Sequence, residues 1–328
     1  MHKTIERVDK MVSGITKCKL VPVKISKKRK YLKNIATNWQ LYVFILPLVV
    51  YLILFRYMPM YGIQIAFKDY NAGSGIWGSD WVGFKYFQQF FNSYYFPALM
   101  KNTLTITLLN LLIGFPFPIL MALSLNEIGN SAFKKTVQTI TFAPHFISTV
   151  VMCGIIVIFT NPSSGIINHL LAAIGLERYN FMQDAAMFKW IYTISDIWQE
   201  TGWNSIIYIA ALSSVSEELH EAARMDGASK IQRIIHINVP SLLPTIIILL
   251  ILRCGSILSL GYAKIYLLQN DLNLSASEVI STYVYKVGLI QANFGFSTAV
   301  DLFNTMINAI MLIVVNYISK KVGETSLW

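Results

Sequence analysis

The sequence predicts an all-α integral membrane protein with six transmembrane helices and both termini on the cytoplasmic side. Three observations carry this: an apolar composition, six apolar runs of membrane-spanning length, and an uneven distribution of positive charge. Hydrophobic residues make up 55% of the 328 and charged residues only 13%, where a soluble domain usually carries about 25% charge. Such a chain has too few polar groups to cover its own surface in water.

A bilayer core about 30 Å thick needs about 20 helical residues to cross it. Runs of that kind occupy residues 39–57, 98–124, 137–159, 189–212, 240 or 244 to about 262, and 298–318. The first lies far from the N-terminus and lacks a small-residue cleavage site, so it is expected to be retained as a span. Between runs, 18 of the 27 Lys and Arg fall on one side and 7 on the other, which assigns the richer side to the cytoplasm. Eleven of those 18 lie between Lys3 and Lys33, a basic tail suited to an anionic leaflet. No folded nucleic-acid module accompanies the tail, so no nucleic-acid partner is expected. The expected organisation is a basic tail (1–38), a first span with its outside loop (39–97), a helical core (98–318) and a short cytoplasmic tail (319–328).

The three cysteines, Cys18, Cys153 and Cys254, fall in the tail and in apolar runs, and imply no disulfide framework. The five histidines do not cluster at metal-ligand spacing, and no metal site is expected. Gly73 to Gly78 spells G-x-G-x-x-G, but it sits in an outside loop rather than between a strand and a helix, so a dinucleotide site is not expected. The aromatics of that loop (Trp77, Trp81, Phe84, Tyr86, Phe87) suit either the headgroup level or the reception of a partner protein.

The cytoplasmic stretch 216–240 differs from the other inside loops and reads as helix, turn, helix. Ser216 can cap the first helix, with Glu217 and Glu218 at its positive end. Gly227 permits the left-handed conformation that ends it, and Pro240 is expected to break the chain before the fifth span. Small residues such as Ala222 and Ala223 let a partner's groove approach closely, while Glu221 and Asp226 offer it fixed negative charge. A helix lying on the membrane is the alternative, which the acidic residues disfavour on an anionic leaflet.

Glu221-Ala222-Ala223, then Asp226-Gly227-Ala228, then Pro240 and Pro244 resemble the EAA loop of bacterial binding-protein-dependent ABC permeases. The resemblance covers roughly residues 101–316 as the type I importer core. The stretches Tyr57-Met58-Pro59-Met60-Tyr61-Gly62 and Ala66-Phe67-Lys68-Asp69-Tyr70 are similar to the subfamily importing oligosaccharides or polysaccharide fragments. What this implies is a transport subunit rather than an enzyme, in the bacterial cell membrane. Its expected partners are a second permease, two cytoplasmic ATPases and an extracytoplasmic binding protein. The chain has no G-x-x-x-x-G-K-[ST] phosphate loop; it is expected to bind no cofactor, with ATP and Mg used by the ATPases. Glu221 would engage the ATPase, with Gly227 as the turn. A non-sugar solute, or a proton-coupled secondary carrier, would be the other readings.

Charges within spans mark functional positions or ion pairs. Asp196 and Glu200, four apart, share one helix face, and depth counting brings Arg253 to a similar level. These three are expected either to tie two helices together or to line the translocation pathway. Trp198, Trp203, Tyr208 and Tyr262 could stack on sugar rings or simply pack.

Overall fold

The computed structural model describes residues 37–323 and 326–328; the basic tail, with Cys18, lies outside the described residues. The chain divides into two units, 1–62 and 63–328. In the first, helix α1 (Trp39–Leu52) is apolar on every side and leads into a π turn, Ile53–Tyr57. A helix without a polar face suits lipid.

The second unit is built from helices: α2 (Lys85–Phe91), α3 (Phe96–Leu109), α4 (Pro116–Asn126), α5 (Ser131–Phe142), α6 (Thr149–Phe159) and α7 (Ile166–Ala173). They are followed by α8 (Ala185–Leu212), α9 (Glu217–Met225), α10 (Lys230–Arg233), α11 (Val239–Cys254), α12 (Tyr262–Leu268), α13 (Ile280–Tyr285) and α14 (Phe294–Gly323). Among the described residues the β contribution is an isolated bridge between Lys68 and Trp81.

Among the described residues, four helices are long and apolar enough to cross a membrane: Trp39–Phe67, Phe96–Asn126, Lys230–Cys254 and Phe294–Lys321. The expected third span is not straight. Ser131–Phe146 and Thr149–Phe159 meet at a bend of 100°, where Ile147 leaves helical geometry and Ser148 caps α6 by accepting from the Val151 amide. The expected fourth span is α8, which has the length but carries Lys189, Asp196, Gln199, Glu200 and Asn204. The fifth stops at Cys254 instead of running to Tyr262, and the last extends beyond both expected ends, so part of the expected C-terminal tail is helical.

Pro240 does not break the chain. Helical structure continues from Lys230 to Cys254 through a π turn, Ile234–Asn238. The same arrangement recurs: the π turns Ile53–Tyr57, Asn110–Gly114 and Ile234–Asn238 each end two residues before a proline, Pro59, Pro116 and Pro240. A proline ring collides with the carbonyl four residues back. Those carbonyls belong to Phe55, Leu112 and His236, in the middle of each π turn, where the widened backbone makes room. Pro47 and Pro244 sit inside helices without such a turn.

Three apolar clusters hold the second unit. Phe90, Leu99, Leu258, Ile280 and Phe296 join α2, α3, α13 and α14. Ile106, Met152, Phe188, Ile265 and Val279 join α3, α6, α8 and α12, and Ala122, Tyr208, Leu212 and Leu242 join α4, α8 and α11. The segment 63–95, expected to form an outside loop, is folded onto the first of these. Phe67 stacks on Trp81, 5.5 Å between centroids, and Tyr86 donates to Asp69 at 2.9 Å. Burial, aided by Asp69, pushes the Tyr86 hydroxyl up to about 12. Gly73 to Gly78 forms a turn around Lys68, whose ammonium donates to the Ile76 carbonyl at 2.7 Å.

Lipid offers little hydrophobic drive between helices, so close backbone approach at small residues matters more. Gly202 of α8 provides the closest such approach: a Cβ there would lie 2.1 Å from the Thr141 carbonyl oxygen, a backbone atom of α5. We expect Gly202→Ala to destabilise the protein by about 1–3 kcal/mol, the usual cost of overpacking. Gly154→Ala, where nothing lies within 4 Å of the added Cβ, serves as control. Thermal midpoints of the two variants in detergent check this; equal midpoints would show that α5 and α8 can separate freely.

Candidate functional site

α8 is amphipathic within a bundle. One side presents small or polar buried residues (Ser195, Gln199, Gly202, Ser205), and the two carboxylates Asp196 and Glu200 lie toward an internal hollow. Two adjoining cavities of about 290 and 300 Å³ share Asn110, Asp196, Glu200, Asn204, Arg253 and Ser256 as lining. Asn110 opens the π turn between α3 and α4, and Arg253 and Ser256 come from the end of α11 and the turn that follows.

Asp196 takes two cations. Lys264 Nζ lies 3.3 Å from Oδ1 and Arg253 Nη2 lies 4.0 Å from Oδ2. The two partners differ in setting: the Lys264 side chain is 9% exposed and that of Arg253 is 50% exposed. Lys264 also lies 4.8 Å from the centre of the Tyr192 ring, a cation–π contact strengthened by exclusion of water. Counting charges by position treats Lys264 as an outside-loop residue. In the structure α12 packs into the bundle, with Ile265 and Leu268 buried, and brings Lys264 with it.

Glu200 does not pair with Arg253. Its Oε2 lies 3.0 Å from His145 Nδ1, and the imidazole stacks on Trp203 at 4.4 Å with the rings 3° from parallel. His145 belongs to the bend between α5 and α6. Gln199 donates to the Ile147 carbonyl there at 3.1 Å, so the corner is fastened to α8 by two neighbouring side chains. His145 reads from sequence as an isolated histidine because its partner is 55 positions away.

Tyr208 is buried and lines the central cavity. Tyr262 stacks on Tyr285 at 4.9 Å and borders a neighbouring cavity of about 620 Å³ with Ser281, Asp301 and Asn304. Trp198 is half-exposed and lines neither hollow.

At the second candidate stretch, 216–240, Ser216 caps α9 by accepting from the Glu218 amide. Gly227 has φ 79°, a conformation that costs a residue with a Cβ about 1–2 kcal/mol. Ser229 and Gln232 then form a reciprocal capping box on α10. Glu221, Ala222, Asp226 and Gly227 are exposed, whereas Ala223 and Ala228 are half-buried. Met225 and Ile231, 88% and 69% exposed, put apolar surface beside them. The segment is anchored from α10 and beyond: Arg233 lies 3.8 Å from Glu127 at the end of α4, and the buried Asn238 is 3.5 Å from the same carboxylate. Glu127 and Arg233 carry no signal in the sequence that would single them out.

Because Lys264 is the enclosed partner of Asp196, its loss is the costly one. Breaking a buried pair costs about 3–5 kcal/mol, so Lys264→Met is expected to lose stability on that scale. Arg253→Met is expected to cost no more than about 1 kcal/mol, as for exposed pairs. Asp196→Asn should restore part of the Lys264→Met loss. A double-mutant cycle on thermal midpoints measures the coupling; a zero coupling between positions 196 and 264 would contradict the pairing.

The family described as "Binding-protein-dependent transport system inner membrane component" matches residues 114–324. Protein LplB of Bacillus subtilis (strain 168) is 42% identical over 288 residues, covering 88% of this chain and 91% of that one. The polygalacturonan/rhamnogalacturonan transport system permease protein YteP of the same organism is 42% identical over 305 residues, covering 93% and 95%. Among solved structures, a bacterial ABC transporter involved in the import of the acidic polysaccharide alginate superposes with a TM-score of 0.83 at 40% identity, covering 90% of this chain and 99% of that chain. A polar cavity inside an apolar helical bundle, joined to these likenesses, makes the chain a multi-pass transport subunit belonging to the inner-membrane permeases of binding-protein-dependent ABC importers.

Proposed function

We propose that this permease translocates a carbohydrate, an oligosaccharide or polysaccharide fragment, across the bacterial cytoplasmic membrane. The observation that carries this is the polar cavity lined by Asn110, Asp196, Asn204, Arg253 and Ser256 within an otherwise apolar bundle. Such groups match ring hydroxyls, and ionisable residues at membrane depth mark solute pathways. The related proteins support the class: YteP, the arabinooligosaccharides permease AraP and the alginate importer are all named for saccharide transport.

In this reading six spans cross the membrane, the bent pair α5–α6 and the polar α8 completing the four apolar helices, and both termini are cytoplasmic. A second permease completes the pathway, two ATPases supply ATP hydrolysis from below, and a binding protein delivers the sugar from outside. The segment 216–240 couples to the ATPases. Glu221 and Asp226 supply the charged contacts, Ala222, Ala223 and Ala228 the close approach, and Gly227 the turn. Tyr208, Trp203 and Tyr262 lie along or beside the route, with Trp198 the least engaged of the aromatics.

Purification of the detergent-solubilised protein is expected to bring ATPase subunits with it. In cells, Glu221→Lys and Gly227→Val should lower uptake of labelled oligosaccharide about tenfold or more, equivalent to losing about 1.4 kcal/mol of coupling, with membrane abundance retained. Normal uptake in both variants rejects the coupling role. For topology, a cysteine at position 227 should react with an impermeant thiol reagent only in inverted vesicles and one at position 73 only in intact cells; outside labelling at 227 rejects the orientation.

A further inference from the structure

The charged groups around the central cavity are not equally occupied, and the difference bears on which sugars the site can hold. Asp196 Oδ1 is engaged by the enclosed Lys264 at 3.3 Å. Glu200 Oε2 is engaged by His145 at 3.0 Å, under the face of Trp203. Each carboxylate therefore has a close internal partner. Arg253 has none at comparable distance: its approach to Asp196 is 4.0 Å, beyond hydrogen-bonding reach, and half of its side chain is open.

Facing the same hollow are the exposed side chains of Asn204 and Ser256. The cavity thus combines one open guanidinium with an accessible amide and an accessible hydroxyl. A guanidinium's planar fork matches a carboxylate in two parallel hydrogen bonds, while Asn204 and Ser256 suit the ring hydroxyls beside it.

We propose that Arg253 is a specificity-determining residue that receives a carboxylate on the sugar ring, so that the transported saccharide contains uronate units. This rests on the carbohydrate reading above and narrows it. A neutral oligosaccharide, held by hydroxyl contacts alone, is the competing occupant.

The test uses the complete transporter, with its partner permease, ATPases and binding protein, in proteoliposomes. ATP-driven uptake is measured for trigalacturonate, for its uncharged methyl ester and for maltotriose, each normalised to assembled complex. The wild type is expected to take up trigalacturonate in preference to the other two. Arg253→Gln is expected to lower trigalacturonate uptake about tenfold or more, the effect of losing a charge-assisted hydrogen bond, and to leave the methyl ester much less affected. Arg253→Lys, which keeps the charge without the fork, should fall between. Equal losses for all three probes, or no loss for trigalacturonate, overturn the assignment of Arg253. Wild-type uptake of the neutral probes but not of trigalacturonate overturns the uronate inference and leaves the carbohydrate reading standing. Uptake of none of the three rejects both.

Discussion

A largely enclosed carboxylate has to be compensated, and the wall of the central cavity is arranged around that requirement at Asp196. Water cannot solvate it fully there, so a cation must come from the protein. Lys264 supplies it, and doing so commits the chain beyond α11 to fold back into the bundle rather than to loop freely outside. With α12 drawn in, Ile265 and Leu268 reach the cluster formed by α3, α6 and α8, and the end of α11 is left beside the hollow with Arg253 at its edge. One electrostatic demand thereby fixes both a packing arrangement and the wall of the cavity.

The large features were legible in the sequence because they depend on composition or on local chemistry. Apolar runs mark most spans, since a bilayer selects for length and hydropathy together. The turn at Gly227 and the cap at Ser216 were legible because each is a single-residue requirement of the backbone. What escaped depends on contacts between distant positions. Hydropathy is blind to direction, so the 100° bend after Phe146 looked like the middle of one run. Lys264 was counted as an outside charge because nothing local shows that seven residues, Tyr262–Leu268, fold inward. Pro240 looked like a break since the proline rule is written for α geometry, and a π turn sidesteps it. Asp196, Glu200 and Arg253 could be named from their unlikely setting, but depth counting could not show that Glu200 would turn to His145.

The corner between α5 and α6 and the face of α8 are joined in more than one way. Gly202 admits the Thr141 carbonyl, Gln199 holds Ile147, and Glu200 holds His145. All three contacts come from three residues within one turn of α8, between positions 199 and 202. A sharp bend leaves backbone groups without helical partners, and in an apolar bundle these must be met by neighbouring side chains. α8 therefore has to be polar where it faces the bend, which is also why it fails as an apolar span by composition.

The π turns carry a mechanical implication. Each encloses one residue more than the α-helical turn it replaces, and an α-helix advances about 1.5 Å and turns about 100° per residue. Absorbing or releasing that extra residue converts a push along the axis into a twist of everything beyond it. The turn at Ile234–Asn238 stands between the exposed segment at Gly227 and the helix that carries Arg253 in its last turn. A displacement entering at one end would emerge at the cavity as a rotation of its wall, a screw rather than a lever.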